Sequence, residues 1–403
     1  MTTGRSSATD PLRVALVCPY SLSRPGGVQG QVIGLARVLA ARGHRATVFA
    51  PLDAGVDVPD GIDLVVTGHS TALPANGSVA PVTLSVAAVI RARRLVASGG
   101  YDVVHLHEPF APGLPYGLLV GRGLPPLVAT FHRSGTSALY TFLSPLVRRL
   151  ATRLAVRCAV SEAARTTAES AIGAPCLVGF NGVEVDRYRQ VEPWPTDRPT
   201  VLFLGRHEER KGLAVLLEAF AATDGPTAGT PSGRSGRPVL WVAGDGPLSR
   251  GLERRFPASP DIQWLGVLSE PEKDRRLVAA DILCAPSLGG ESFGMVLLEA
   301  MAARTVVVAS DIAGYRDAAG GHAVLVPPGD ERALAAALGA VLAGDLGTEG
   351  TGATSDGPDG QAGGDGRGRW LDASFGRASS WSMESLASWY ERHYREAMVG
   401  PVG

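Results

Sequence analysis

Short apolar runs alternate with longer stretches of helical spacing along this chain. An apolar run at Arg13–Cys18 leads through a loop at Pro19–Gly27 to a helical pattern at Val28–Ala41, and a second apolar run follows at Arg45–Ala50. Apolar runs of this length, separated by an amphipathic helix, are typical of buried parallel strands. The pattern therefore predicts a βαβ unit.

The same alternation continues and then restarts after Phe180. Later strands are predicted at Asp63–Val66, Val103–Leu106, Leu127–Phe131, Thr200–Leu204, Val239–Ala243, Ile262–Leu265, Ile282–Ala285, Thr305–Ala309 and Ala323–Val326. Helices are predicted at Val86–Ala97, Leu143–Arg157, Lys211–Ala221, Glu272–Ala280, Met295–Ala303 and Glu331–Ala343. We predict an α/β protein with two doubly wound, Rossmann-like domains, at 12–180 and 181–376, joined through 183–198.

Two segments interrupt the second domain, and one follows it. Residues 223–237 and 344–368 are rich in Gly, Ser, Thr, Asp and Pro, so both are predicted to be flexible surface insertions. Aromatic and apolar residues return at helical spacing from Trp370 onward. We predict that residues 377–399 form a helix that crosses back and packs on the first domain.

Composition excludes several classes of function. The net charge of the 403 residues is −1, which provides no global field for nucleic acid. The four cysteines are scattered without a Cys-x-x-Cys pair, as expected of buried thiols in a reducing cytoplasm. The N-terminal segment has no apolar signal core, and no apolar window predicts a membrane span.

The most informative motif follows the apolar run that ends at Pro286. Two glycines precede Glu291, and a helix is predicted to begin at Met295, with Glu299 two turns into it. The free N–H groups and the dipole of a helix N-terminus favour an anion, and carboxylates accept hydrogen bonds from sugar hydroxyls. The motif predicts a phosphate at the helix start, one sugar at Glu291 and another at Glu299.

A second motif supplies cations for that phosphate. Arg206 and Lys211 follow the strand predicted at Thr200–Leu204, at the edge where open α/β sheets bind ligands. Only two of the 38 basic residues are lysines, Lys211 and Lys273, so each is expected to have a position-specific role. An arginine fork and a lysine point charge together suit one diphosphate. The alternative is a solvated charged loop.

The first domain offers a glycine pair and several histidines. Gly26 and Gly27 precede a predicted helix and would let a ligand approach the backbone closely, although a tight turn without a ligand is the alternative. The spacing is not G-x-G-x-x-G, so no nicotinamide cofactor is indicated. His132 follows a strand, where it can orient a substrate or move a proton. His105 and His107 share a strand face, but the sequence shows no third ligand, so a zinc site is not predicted.

Two predicted helices carry clustered arginines. Arg91, Arg93 and Arg94 lie on one helix, and Arg149, Arg153 and Arg157 recur every fourth residue on the other. Basic faces of this kind bind anionic lipid or are simply solvated. We expect an anionic membrane surface as a partner.

Six motifs occur together and in order. They are Pro25-Gly26-Gly27-Val28-Gln29, His107-Glu108-Pro109, Phe131-His132, Asn181-Gly182-Val183, Leu204-Gly205-Arg206…Arg210-Lys211-Gly212 and Glu291-Ser292-Phe293-Gly294…Glu299. With these motifs the chain resembles the retaining GT-B glycosyltransferases of family 4, from about Arg13 to Val326 and again in the final helix. It is most similar to the actinobacterial branch that moves mannose from GDP-mannose to phosphatidylinositol. The resemblance implies two Rossmann-like domains facing each other across a cleft.

The resemblance also implies which residues bind the nucleotide-sugar donor. The matching positions are Gly26, Gly27, Arg206, Lys211, Leu268, Lys273, Glu291, Ser292, Phe293, Gly294, Met295, Val296 and Glu299. Arg206 and Lys211 would stabilise the leaving diphosphate, while Glu291 would bind hydroxyls of the transferred sugar. Glu299 would bind the ribose, and His132 would be the active-site histidine. Preorganised cations and helix dipoles can stabilise a diphosphate without a metal, so no cofactor is expected.

The acceptor side matches the family less completely. The matching positions are Tyr20, Gln29, Asn76 and Ser78. The lipid-mannosylating branch has an arginine at the position of Pro81, a threonine at that of Arg133 and a lysine at that of Ser137. We hypothesise that Arg133 replaces the lost cation in the acceptor site. The alternative is that the acceptor has changed.

The sequence therefore predicts a cytoplasmic, peripheral membrane enzyme. It would move a hexose, mannose from GDP-mannose, to phosphatidylinositol at the inner face of the membrane. Retention would come from attack on the same face of the sugar, with the leaving phosphate accepting the acceptor proton. Two alternatives stay open: a family 4 transferase with another donor or with a different lipid, polyol or glycan acceptor, and a catalytically silent sugar-nucleotide-binding membrane scaffold. The oligomeric state is not predicted.

Overall fold

The structure is a computed structural model that describes residues 10–24, 26–75, 78–133, 144–223, 233–346 and 366–399. It divides into two compact units. The first is Met1–Gly182 with Met383–Gly403, and the second is Val183–Ser382. Each unit contains a parallel sheet with helices on its faces. The predicted α/β class with two Rossmann-like domains is confirmed.

The first unit is built on a seven-stranded sheet. Its elements are β1 (Arg13–Val17), α1 (Gly27–Ala41), β2 (Arg45–Ala50), β3 (Asp63–Val66), β4 (Thr71–Ala75), β5 (Ser78–Val82), α2 (Val86–Ser98), β6 (Val103–His107), α3 (Leu114–Leu119), β7 (Leu127–Phe131), α4 (Ser144–Ala151), β8 (Leu154–Ala159), α5 (Glu162–Ile172), β9 (Leu177–Val178) and α13 (Met383–Val399). The parallel strand order is β3-β2-β1-β6-β7-β8-β9, and β4 and β5 form a separate antiparallel pair. The order reverses between β1 and β6, where open α/β sheets bind ligands.

The second unit is built on a six-stranded parallel sheet. Its elements are β10 (Thr200–Leu204), α6 (Leu213–Ala221), β11 (Val239–Ala243), α7 (Ser249–Arg255), β12 (Ile262–Gly266), α8 (Glu270–Ala279), β13 (Ile282–Ala285), α9 (Met295–Ala302), β14 (Val306–Ser310), α10 (Ala313–Ala319), β15 (Val324–Val326), α11 (Glu331–Leu342) and α12 (Gly366–Ser380), with 3₁₀ turns at Val185–Tyr188 and Glu209–Lys211. The strand order is β12-β11-β10-β13-β14-β15, which reverses between β10 and β13.

The central strands are apolar because helices cover both faces of each sheet. Every residue of β6, β7, β11, β13 and β14 is buried. Parallel strands buried on both faces read as continuous hydrophobic runs. That is the pattern from which these strands were predicted.

The final helix packs in the core of the first unit. Met383, Leu386 and Ala387 of α13 lie in one hydrophobic cluster with residues of β1 and α1. Two buried tyrosines follow them: the Tyr394 hydroxyl lies 2.7 Å from His105 Nδ1, and the Tyr390 hydroxyl lies 2.7 Å from Thr130 Oγ1. The helix therefore satisfies polar groups of β6 and β7 as well as burying apolar surface.

The helix predicted at Leu143–Arg157 is wrong in its second half. The structure has α4 at Ser144–Ala151 and then the strand β8 at Leu154–Ala159. A spacing of four fits one face of a helix, but it is also an even number and fits one face of a strand. The spacing of the arginines therefore does not distinguish a helix from a strand. The buried Val156 and Cys158 flank the less buried Arg157, which is the alternation of a strand.

Those three arginines consequently do not form a helical basic face. Arg149 lies in α4, Arg153 contacts the carbonyl of Gly121, and Arg157 lies in β8. The Arg157 Nε donates to the carbonyl of Pro175 over 3.1 Å. The three arginines therefore do not share one helix face, and the helical basic surface predicted for them is wrong.

Other differences concern element boundaries. The helix predicted from Lys211 begins at Leu213, because Gly212 has φ +67° and a Cβ there would lie 1.9 Å from the Pro286 carbonyl oxygen. The predicted terminal segment 377–399 is divided, since α12 ends at Ser380 in the second unit. Of the predicted insertions, residues 224–232 and 347–365 lie outside the described residues, and Gly366 starts α12.

Several short elements were not predicted. They are the β4–β5 pair, the strands β8 and β9, and the helices α3, α5, α7 and α10. All except the 11-residue α5 are short, and several of the helices are alanine-rich or charged rather than strongly amphipathic. Periodicity is weak evidence in segments of this length.

Candidate active site

The two predicted donor motifs meet in the second unit. Arg206 and the 3₁₀ turn Glu209–Lys211 follow β10, and the loop that carries Glu291 follows β13. Because β10 and β13 are adjacent parallel strands, their carboxyl ends lie at the same edge of the sheet. The structure thus brings together residues 80 or more positions apart in the chain.

Charged side chains form a continuous network at this edge. Lys211 Nζ lies 2.7 Å from Glu291 Oε1, and Arg210 Nη1 donates to the same oxygen over 2.7 Å. Arg210 Nε also donates to Glu208 Oε2 over 3.1 Å. Arg206 Nε lies 2.6 Å from Glu208 Oε1, as an ion pair whose N–H is not directed at that oxygen. Arg206, Arg210 and Lys211 thus pair with the carboxylates of Glu208 and Glu291, and the charge of Arg206 also acts on the carboxylate of Asp245.

Sequence reasoning had assigned Arg206, Lys211 and Glu291 to this edge but not Glu208 or Arg210. Glu208 is buried, with 5% of its surface exposed. The signal for Arg210 was its place inside the quoted motif, directly before Lys211. Its partner could not be identified, because a local pattern does not show contacts across 81 residues.

A second ion-pair cluster holds Glu299. Lys273 Nζ lies 3.0 Å from Glu299 Oε1 and 3.1 Å from Glu270 Oε2. Burial opposes the charge on Lys273, but Glu299 and Glu270 outweigh it and raise the pKa of the ammonium group. Arg187 of the first 3₁₀ turn also contacts Glu270, at 2.7 Å. Lys211 therefore pairs with Glu291, and Lys273 pairs with Glu299. The half-buried Leu268 lies just before α8, the helix that carries Lys273.

Packing fixes the backbone between Glu291 and α9. Gly294 precedes the helix with φ +111°, and a Cβ there would lie 2.7 Å from the ring of Tyr315. A Cβ at Gly314 would lie 2.3 Å from the Glu291 carbonyl oxygen. Phe293 is buried and stacks on Trp381, with ring centroids 5.1 Å apart. These contacts fix the loop directly before the N-terminus of α9.

The remaining predicted residues of this loop have clear positions. Ser292 and Phe293 precede the helix, and Met295 and Val296 are its first residues. The half-buried Met295 and Val296 lie in the turn whose N–H groups would face a phosphate.

Three histidines of the first unit stack beside one another. The rings of His105 and His107 are 4.2 Å apart, and those of His107 and His132 are 5.1 Å apart. His107 Nδ1 lies 2.9 Å from His132 Nε2, so one proton joins the two rings. His105 is held by Tyr394 and by Thr130 Oγ1, which lies 2.7 Å from its Nε2. This pairing leaves two ring nitrogens over, His132 Nδ1 and the buried His107 Nε2, which has no hydrogen-bond partner among the described residues.

Burial keeps these imidazoles neutral. It lowers the pKa of His132 and that of His105 to about 3, the latter with a smaller contribution from His132, and it lowers the pKa of His107 well below its usual range. A neutral imidazole can donate or accept a hydrogen bond without carrying charge. His132 therefore has a neutral ring, as its predicted role in orienting a substrate requires.

Glu108 braces the loop that carries His132 and Arg133. Its φ is +50°, and its Oε1 accepts a hydrogen bond from the His132 backbone N–H over 2.6 Å. Burial raises the pKa of Glu108, against the opposing effects of the backbone N–H groups of His132 and Arg133 and of the Arg133 charge. Arg133, half-buried, thus lies beside a carboxylate and next to His132.

The predicted glycine pair starts α1. Gly26 is the N-cap residue, and Gly27 is the first residue of the helix. A Cβ at Gly27 would meet no atom within 4 Å, so contacts among the described residues do not require glycine there. Close approach of a ligand remains the predicted reason. Pro25 lies outside the described residues.

The structure describes only some of the predicted acceptor residues. Tyr20 pairs with Val82 next to Pro81, whose carbonyl accepts a hydrogen bond from the Ser21 N–H over 2.8 Å. The Gln29 amide is used by its own loop, since Nε2 donates to the carbonyls of Ser21 and Arg24. Asn76 and Ser137 lie outside the described residues, and Ser78 is placed only as a backbone position of β5. Their acceptor roles stay predictions.

The described residues offer neither a metal-binding cluster nor a membrane-spanning helix. They contain no group of three or more His, Cys, Asp or Glu side chains arranged to hold a metal ion. None of their helices combines the length and apolar character needed to cross a bilayer. All four cysteines are free and buried.

Comparisons with known proteins agree with this geometry. A family model described as "Glycosyltransferase Family 4" matches residues 25–187, and one described as "Glycosyl transferases group 1" matches residues 198–344. The chain is 40% identical to the phosphatidyl-myo-inositol mannosyltransferase of Mycobacterium leprae, over 83% of this chain and 88% of that protein. It is 30% identical to the D-inositol 3-phosphate glycosyltransferase of Xylanimonas cellulosilytica, over 83% and 89% respectively. A solved glycosyltransferase from Rickettsia africae shares the fold, with a TM-score of 0.68 at 17% identity over 96% of this chain and 99% of that chain.

The buried histidines predict an acid-sensitive fold. The pKa of His132 in the folded protein lies below its ordinary value of 6.5, so the unfolded chain binds the proton more tightly. The free energy of unfolding should therefore fall as the pH drops from about 6.5 towards about 4, by about 1.4 kcal/mol per pH unit for each such group. In His132→Asn this slope should be smaller by about that amount, measured by urea unfolding at a series of pH values. His69→Asn, at an exposed position, is the control and should keep the wild-type slope; an unchanged slope in His132→Asn would contradict the assignment.

Proposed function

Because this chain belongs to glycosyltransferase family 4, we propose that it moves mannose from GDP-mannose to phosphatidylinositol with retention of the anomeric configuration. One observation carries the proposal: Arg206, Arg210 and Lys211 lie with Glu291 at the carboxyl ends of β10 and β13. This arrangement suits a diphosphate joined to a polyhydroxylated sugar. The relatives named phosphatidyl-myo-inositol mannosyltransferases support mannose as the sugar and phosphatidylinositol as the acceptor.

The chemistry needs charge stabilisation on the leaving group. The bond between the sugar C1 and the phosphate oxygen breaks, and negative charge develops on the diphosphate. Arg206, Lys211 and the N-terminus of α9 would stabilise that charge without a metal. The acceptor hydroxyl forms the new bond to C1 from the same face and gives its proton to the departing phosphate. His132, kept neutral, would orient the sugar rather than act as a cation.

Arg133 is the proposed cation of the acceptor site. It replaces the arginine that the lipid-mannosylating branch has where this chain has Pro81. Its place beside His132 puts a positive charge next to a residue that is proposed to orient the sugar. The names of both relatives contain an inositol bearing a phosphate group, which a guanidinium recognises well.

A soluble inositol phosphate is the second candidate acceptor. The observation that favours it is the 30% identity to a D-inositol 3-phosphate glycosyltransferase. Arg133 would bind the phosphate group of either acceptor in the same way. They differ in whether the substrate lies in a membrane.

The helix α2 supports a membrane-bound acceptor. Val86 is 71% exposed and Ile90 46% exposed, on the same face as the exposed Arg91 and Arg94. The helix contains no acidic residue, and neither arginine has a carboxylate partner among the described residues. Exposed apolar residues interleaved with arginines suit the surface of an anionic bilayer. We propose that this face docks on the inner leaflet, with Arg93 turned towards the Arg122 carbonyl.

The reaction can be tested directly. The protein is incubated with GDP-mannose, UDP-glucose and UDP-GlcNAc, each against phosphatidylinositol vesicles and against inositol 3-phosphate, and products are identified by mass. We expect mannosylated phosphatidylinositol, and a loss of about 100-fold in kcat/KM for Glu291→Gln. Glu209→Gln, an exposed neighbour, is the matched control. Product with inositol 3-phosphate alone would favour the second candidate, and no product with phosphatidylinositol would refute the first.

Arg133→Ala separates the acceptor site from the donor site. Since Arg133 is proposed to bind the acceptor phosphate, KM for the acceptor should rise roughly tenfold, the equivalent of about 1.4 kcal/mol, with KM for the donor nearly unchanged. The exposed Arg122→Ala serves as the control. An equal rise in both KM values would overturn the assignment.

Vesicle binding tests the α2 face. Replacing Arg91 and Arg94 by Gln should weaken binding to vesicles containing phosphatidylinositol about 30-fold, at about 1 kcal/mol for each arginine near an anionic surface. Cosedimentation measures the change. The exposed pair Arg250 and Arg254, replaced in the same way, should leave vesicle binding unchanged. Equal weakening by both pairs would show a general charge effect rather than a docking face.

A further inference from the structure

Arg210 connects the two loops that carry the proposed donor ligands. Its Nε donates to Glu208 Oε2 over 3.1 Å in its own loop, and its Nη1 donates to Glu291 Oε1 over 2.7 Å in the other loop. Its carbonyl oxygen accepts a hydrogen bond from the Leu288 N–H over 2.8 Å. Arg210 is thus tied to the loop after β13 through both side chain and backbone.

The two oxygens of Glu291 are used differently. Arg210 and Lys211 both contact Oε1, each at 2.7 Å. Within the described part of the chain, Oε2 accepts no hydrogen bond. The side chain is 13% exposed, so this carboxylate has little freedom to turn without losing its partners. The free oxygen is the one that a ligand could use.

We propose that Arg210 is a positioning residue that turns Glu291 so that Oε2 accepts hydrogen bonds from hydroxyls of the transferred sugar. Arg210 acts through Glu291 and does not bind the diphosphate. The inference rests on the proposed function in one respect, namely that the ligand is a nucleotide sugar. The proposal adds that recognition of the sugar, rather than of the diphosphate, depends on Arg210.

The geometry favours this role over diphosphate binding. The guanidinium is already shared between two carboxylates, and the one on Glu208 belongs to a buried side chain that cannot move away easily. Lys211 contacts the same Glu291 oxygen, but an ammonium is a point charge and fixes no orientation. A guanidinium fork does fix orientation, because its N–H groups have set directions. Without Arg210, Glu291 would keep a counter-charge and lose its alignment.

Diphosphate binding and alignment of Glu291 predict different effects of an Arg210 substitution on ligand affinity. A residue that binds the diphosphate should, when removed, weaken binding of the nucleotide diphosphate and of the nucleotide sugar by the same factor. A residue that aligns Glu291 should, when removed, weaken binding of the nucleotide sugar but not binding of the nucleotide diphosphate. Comparing the two ligands on one variant therefore separates the roles.

The experiment measures binding of GDP and GDP-mannose, and in parallel UDP and UDP-glucose, by calorimetry, together with transfer rates. The variants are Arg210→Lys and Arg210→Ala, with the exposed Arg250→Ala as the control. We expect GDP affinity within about threefold of wild type for Arg210→Lys, and kcat/KM for transfer lower by about 10- to 100-fold. If Arg210→Ala does not fold, as judged by thermal unfolding, Arg210→Lys alone decides. A fall in GDP affinity as large as the fall in transfer would overturn the proposal.

A double-mutant cycle supplies a readout that a general structural effect would not reproduce. If Arg210 acts through Glu291, then Arg210→Lys should cause no further loss of sugar-dependent binding or transfer in a Glu291→Ala background. Losses that add in the double variant would overturn the proposal. A wild-type protein that binds UDP-glucose but not GDP-mannose would refute the proposed donor, while the cycle run with UDP-glucose still decides the role of Arg210. A wild-type protein that binds neither nucleotide sugar would overturn both.

Discussion

Charge compensation at the carboxyl ends of β10 and β13 is the constraint on which the proposed donor site depends. Two partly buried carboxylates, Glu208 and Glu291, meet there because adjacent parallel strands end at one edge. A buried carboxylate without a counter-charge is strongly destabilising, so the same loops must supply cations. Arg206, Arg210 and Lys211 do so. The network that stabilises the folded loops therefore contains Arg206 and Lys211, the two cations proposed to bind the donor diphosphate.

A comparable constraint governs the first unit. His105 is fully buried in β6, where an imidazole without hydrogen-bond partners would be costly. Its partners are Thr130 on the neighbouring strand and Tyr394 near the end of the chain. The last helix thus completes the polar interior beneath His107 and His132. Residues almost 290 positions apart are joined by this one contact.

The sequence predicted the fold class well because strands buried on both faces read as unbroken apolar runs. It failed where two structures share one spacing, as at Arg149, Arg153 and Arg157, which fit a helix or a strand equally. It also missed Arg210, although the residue lies inside a quoted motif. A motif shows which residues follow one another, whereas the partner of Arg210 comes from a different strand end.

By itself, the sequence determined the alternation of strands and helices, the two-domain organisation and the residue types at the strand ends. Local patterning is sufficient for these features, because burial and helix termini leave periodic and punctuated signals. Only the tertiary structure decided which charges pair, which histidine nitrogens bond to each other, and which oxygen of Glu291 accepts the hydrogen bond from Arg210. Those choices depend on sheet order and on contacts between residues far apart in the chain, and no local pattern encodes them.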